Sequence, residues 1–168
     1  MSKIFNEPTI TDHALCNVRR SAFELRARWA SAIYLEAKSR GIDLEEIMRK
    51  AIYKIGLENG EEQKKQFTEK IKAHAYGEYF LKRGVPETFE KTVAYEDEDE
   101  YVVDFHYCPL VKAWQKQGLD DSTIALMCEI AMEGDYGTAE ALELDFELQD
   151  TIARGGKTCR LRYRSRER

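Results

Sequence analysis

The chain has no Cys-x-x-Cys pair, no internal repeat or low-complexity linker, no excess of positive charge, and no apolar run near the roughly 20 residues of a membrane span. Each absence removes a class of protein. The four cysteines, Cys16, Cys108, Cys128 and Cys159, are widely and irregularly spaced, which argues against a zinc ribbon and for free thiols in a reducing compartment. The opening "MSKIFNEPTI" lacks the apolar core and cleavage site of a signal peptide, so the expected location is the cytoplasm, with no membrane partner. A formal net charge of -5 gives no general attraction to phosphate backbones, and nucleic acid is not an expected partner.

What is present describes a folded protein. Hydrophobic residues make up 43% and charged residues 34% of 168 positions, enough for one well-buried core and a solvated surface, so residues 1-168 are expected to form a single domain. From Asp12 to Lys38, Leu15, Val18, Ala22, Leu25, Trp29 and Ala32 or Ile33 recur at three- and four-residue intervals. That spacing predicts a long amphipathic helix, capped by Thr11 or Asp12 and stopped by Gly41. "DLEEIMRKAIYKIG" predicts a second, with Asp43 as N-cap, Leu44, Ile47, Ala51 and Ile55 on one side and Gly56 near its end. A third is expected from about Glu61 to Leu81, with Phe67, Ile71, Ala75 and Tyr79 inward.

After Pro86 β-branched and aromatic residues take over. Two antiparallel strands are expected around an acidic turn at Glu96 to Glu100, then helices from Pro109 to Gln117 and from about Ser122 to Met132. "LDFEL" and "TIARGGKTCRLRYR" close the chain as strands, with Gly155-Gly156 as a tight hairpin turn. The predicted class is α+β: a helical N-terminal part, 1-85, packed on a small antiparallel sheet of about four strands in 86-168, with two inserted helices.

Chemistry concentrates in "FHYCPLVKAW". Strand alternation would put Asp104, His106 and Cys108 on one face. Pro109 suits the first position of a helix and makes Cys108 its N-cap, where free amides and the helix dipole favour thiolate. Cys128 lies on an apolar helix face, and Asp135, seven residues on, shares that side if the helix lasts. Cys159 shares its strand face with Leu161 and Tyr163, while Arg160, Arg162 and Arg164, continued by Arg166 and Arg168, face away. His13 and Cys16, three apart, are adjacent on the first helix but do not by themselves make a metal site, and His74 reads as a packing histidine that could also close a pocket from the helical half.

In order, "HYCPLVKAW", "ALMCEIAMEGDYGTAEALELDFEL" and "DTIARGGKTCRLRYR" resemble the family of L-2-amino-thiazoline-4-carboxylic acid hydrolases. The pattern is Cys108 with Pro109, Cys128 with Asp135, and Cys159 after Gly155; the last strand is more weakly similar to the end of 4-vinyl reductase domains, which hold small ligands. The resemblance implies a hydrolase that opens a cyclic amidine, such as L-2-amino-thiazoline-4-carboxylate, to a carbamoyl-cysteine. Cys108 would be the nucleophile, His106 the proton shuttle, and Asp135 the group holding the amidinium or activating water. Cys128, Cys159, Asp104 and Arg160 are candidates for binding substrate or metal. No cofactor is called for by a motif; zinc or another divalent metal enters only in a second version, which uses Cys108, Cys128, Cys159 and His106 or Asp135 as ligands. A third version is a non-catalytic sensor of a small molecule or metal. The sequence carries no sign of oligomeric state.

Overall fold

Alternating apolar and charged residues in four short segments build a sheet with one dry and one wet face. The computed structural model describes residues 2-167, so Arg168 of the basic tail lies outside the described residues. β1 (Lys91–Glu96), β2 (Glu100–Phe105), β3 (Leu144–Asp150) and β4 (Cys159–Ser165) pair antiparallel in the order β1-β2-β4-β3. The register sets Tyr101 opposite Tyr163, Val103 opposite Leu161 and Phe105 opposite Cys159, and these side chains form the dry face. On the wet face Arg160 pairs with Asp104, and Arg162 with Glu100 and Glu147.

Five helices complete the α+β fold: α1 (Ala14–Ser39), α2 (Glu45–Lys64), α3 (Ala73–Lys82), α4 (Pro109–Lys116) and α5 (Asp121–Ala141). α3 lies on β2 and β4, α5 runs against β3, α2 packs along α5, and α1 packs on α4. The acidic turn between β1 and β2 sits where the sequence places it, with Asp97 accepting hydrogen bonds from the Asp99 and Glu100 amides.

Several local expectations are corrected. α1 is capped by the His13 ring, whose Nδ1 accepts from the Cys16 amide at 3.1 Å, not by Thr11 or Asp12. Its large apolar residues face outward, while Cys16, Ala27, Ser31, Tyr34 and Ala37 face the core. On α2, Ile47, Ala51 and Ile55 are likewise exposed. Gly56 does not end α2: a Cβ there would lie 2.3 Å from the Gly134 carbonyl oxygen, so the glycine exists for the close crossing with α5. α2 therefore absorbs the start of the expected third helix, which begins only at Ala73 and leaves Ala75 exposed. The Gly155-Gly156 pair is not a two-residue hairpin turn. A 3₁₀ turn, Ile152–Arg154, lengthens the connection, and Gly155 ends it at φ +88°.

The N-terminal segment is held by a buried pair. Arg20 of α1 donates to Glu90 at 3.0 Å and also to the carbonyls of Ile10, Glu87 and Thr88. Glu90 in turn accepts from the amides of Thr9 and Ile10 and from the Thr9 hydroxyl. With Arg20 making four hydrogen bonds and both Glu90 oxygens accepting, the cost of burying these charges is largely offset.

Candidate functional site

α5 continues nine residues past the expected end at Met132, and this extension decides where Asp135 goes. Two helical turns after Cys128, it lies on the same stripe as Ile124, Cys128 and Ala131, facing the sheet rather than α2. Asp135 keeps partial exposure although protein surrounds its carboxyl. Burial raises its pKa to about 6, against the pull of Arg26 and Lys91.

Cys108 lies within electrostatic reach of Asp135. The chain leaves the sheet at Phe105, and Pro109 opens α4, making Cys108 its N-cap in extended conformation as expected. Asn6 fixes that backbone by a two-way clasp, its side chain donating to the Cys108 carbonyl at 2.8 Å and accepting from the Cys108 amide at 2.9 Å. Burial lifts the thiol above its ordinary value, opposed by the Val111 and Leu110 amides and the Arg26 guanidinium, while Asp135 adds to the rise. The predicted amide environment is present, but it does not prevail over desolvation. A resting Cys108 is a thiol.

Cys128 and Cys159 lie behind it. Burial raises both thiols, and each feels the charges of Cys108 and Asp135, so the three sulfurs and the carboxylate form one electrostatic neighbourhood. The Cys159 sulfur also accepts from the Ile152 amide at 3.4 Å. Among the described residues no three His, Cys, Asp or Glu side chains converge on a metal-sized position, so this neighbourhood does not have the form of a zinc site.

Three other sequence-predicted residues lie elsewhere. His106 has left the strand, and its Nε2 meets the Thr92 hydroxyl at 2.7 Å in an exposed position. Asp104 and Arg160 form a bidentate pair on the wet face, at 2.8 and 2.7 Å, which holds the Asp104 carboxyl below its usual range. Alternation does place Asp104 with His106. It does not carry through to Cys108, because the strand has ended. His74 is exposed beside the Tyr101 ring.

Sequence reading missed the cations. Arg26, on α1, stands near Asp135 and Cys108 with its guanidinium 4.9 Å from the Phe23 ring centroid, and burial lowers its pKa. Among the described residues it makes no ion pair within 4 Å. Lys91 opens β1 on the dry face, donates to the Phe80 carbonyl at 2.9 Å and lies 4.1 Å from the Phe80 ring centroid. Burial, with Arg19 and Arg83, lowers its pKa to about 8. Tyr76 and Tyr163, also raised by burial, feel Asp135 as well. The available signal was positional: Arg26 and Lys91 sit on apolar faces of their elements.

A carboxyl titrating near neutrality, two cations and an adjacent thiol suit proton transfer on a small anionic ligand. The chain matches the family described as L-2-amino-thiazoline-4-carboxylic acid hydrolase over residues 22-163. No curated protein matches in sequence. Among solved structures, it is similar in fold to a trafficking protein particle complex subunit 3 from Naegleria fowleri, covalently bound to palmitic acid. That likeness has a TM-score of 0.55 and 16% identity, and covers 88% of this chain and 97% of the other.

Proposed function

We propose a function from one premise: this chain belongs to the family of L-2-amino-thiazoline-4-carboxylic acid hydrolases. In our reading the protein opens a small cyclic amidine bearing a carboxylate, of which L-2-amino-thiazoline-4-carboxylate is the type. The observation that carries the reading is the half-buried Asp135, tuned to about 6 and within electrostatic reach of Arg26, Lys91 and Cys108. Such a carboxyl is both a fair base and a fair acid at neutral pH.

Arg26 holds the substrate carboxylate, the role that Arg160 cannot take while paired with Asp104. Cys108 Sγ attacks the ring carbon between sulfur and nitrogen, passing its proton to Asp135. The ring carbon-sulfur bond breaks, and the departing thiolate takes that proton back. The substrate is now an isothiourea on Cys108. Water adds to the same carbon, again giving a proton to Asp135. The Cys108 thiol leaves on recovering it, and carbamoyl-cysteine is released. Asp135 thus does the proton transfer expected of His106, and the raised Cys108 pKa means that the thiol ionises only as it attacks.

An acyl chain, as in the palmitic acid of the trafficking-complex subunit, is a different kind of occupant. The charges of Arg26, Lys91 and Asp135 favour a small polar ligand, because burying them against hydrocarbon would leave them unpaired.

The test is turnover of the thiazoline by the purified protein, followed as thiol release and by mass spectrometry of carbamoyl-cysteine. Turnover by the wild type and its loss in Cys108→Ser are expected. Arg26→Gln should raise KM about 10-fold or more while kcat changes less, as for a contact made equally in ground and transition states. No turnover overturns the reading, and tight binding without turnover would make the protein a sensor.

A further inference from the structure

α1 is apolar on two opposite sides. Its inner stripe packs on the core through small residues, and its outer stripe carries Leu15, Val18, Leu25, Trp29 and Ile33, each at least 51% exposed. Ile42, Ile47 and Ile55, on the α1–α2 connection and on α2, are exposed as well. Eight of the twelve exposed large hydrophobic residues among the described residues fall on α1, α2 and the connection between them. A helix apolar all round is normally buried all round.

The size of the face and its charges indicate what covers it. The five α1 side chains expose roughly 600 Å² of surface, at the upper limit of patches on monomers. The three isoleucines add roughly 300 Å², bringing the total to roughly 900 Å², enough for the ~800 Å² per partner of a stable interface. Arg28 borders the α1 stripe, is exposed and forms no ion pair among the described residues. Glu58 and Glu61 follow Ile55 on α2 and are likewise unpaired among the described residues. α1 against a second α1 would set arginine against arginine. α1 against the α2 of another copy sets arginine against glutamate, and a two-fold axis makes that contact twice.

We propose that this face is the interface of a symmetric dimer in which α1 of each copy packs on α2 of the other, with Trp29 at its centre.

Sedimentation equilibrium of the full chain at micromolar concentration is the test. The wild type is expected at twice the monomer mass. Trp29→Glu and Ile55→Glu, both at exposed positions, should keep the wild-type far-UV circular dichroism and weaken the dimer about 30-fold or more, the loss expected at an interface hot spot. Arg28→Glu should weaken it too, and mixing Arg28→Glu with Glu58→Arg should restore a heterodimer. A monomeric wild type overturns the proposal, as does a dimer that ignores both Trp29→Glu and Ile55→Glu. A monomer that instead co-sediments with vesicles of anionic phospholipid overturns it in favour of a lipid surface.

Discussion

At the scale of single residues, Asp135 links the proposed chemistry to stability. Its pKa is raised in the folded protein, so the folded state binds the proton more tightly than the unfolded one, and stability falls as pH rises from about 4 to about 6. At pH 7 the ionised, buried carboxyl costs on the order of 1–3 kcal/mol. Asp135→Asn is therefore expected to raise the melting temperature at pH 7 while lowering kcat about 100-fold or more. Thermal unfolding and rate measured on one preparation check both halves. The acid limb of the wild-type rate profile should lie near pH 6, where Asp135 titrates. Arg20 presents the opposite case. Arg20→Ala leaves Glu90 buried without its cation, and a loss of about 3–5 kcal/mol is expected in urea denaturation. Glu90 itself is held below its ordinary pKa despite burial, chiefly by the Ile10 amide and the Thr9 contacts. Its contribution is present at neutral pH and is lost as pH falls through that lowered value.

At the scale of elements, the α2–α5 crossing depends on two backbones meeting. A Cβ on Gly137 would lie 2.2 Å from the Tyr53 carbonyl oxygen, whereas one on Gly134 would have its nearest neighbour, Ile52 Cγ2, at an ordinary 3.5 Å. Alanine favours a helix over glycine by about 1 kcal/mol. Gly134→Ala should therefore be neutral or stabilising, and Gly137→Ala destabilising by roughly 1–3 kcal/mol, a difference of sign that chemical denaturation of the pair can read. The same crossing explains where sequence reading succeeded and failed. The strands, the acidic turn and the Cys108–Pro109 junction were legible because alternation and proline act locally. Gly56 read as a helix stop, since nothing nearby reveals that another helix must approach it. α1 read with the wrong face inward because its core side is built of small residues and its outer side of large ones, so hydrophobic bulk points away from the core. In the candidate site, helix spacing put Cys128 and Asp135 on one side, while only the family resemblance grouped them with Cys108 and Cys159. Arg26 was not legible, because an arginine on a helix is usually solvated.

At the scale of the whole molecule, the outward stripe makes stability depend on company. If two copies cover it, the melting temperature should rise with protein concentration, and Trp29→Glu should abolish that dependence; calorimetry over a hundredfold dilution checks it. No helix among the described residues is long and apolar enough to cross a membrane, so the stripe belongs to a surface and not to a span. The clasp between Asn6 and Cys108 has a practical consequence for anyone who handles the protein in pieces. The matched family span begins at residue 22, and a fragment cut there would discard Asn6, the Thr9 and Ile10 amides and Arg20 together. Glu90 would remain buried with its donors gone, and the Cys108 peptide would lose both of its bonds to Asn6. Family boundaries drawn on shared sequence would here run through the scaffolding of the candidate site, and the first twenty residues must travel with the domain for the thiol to keep its place.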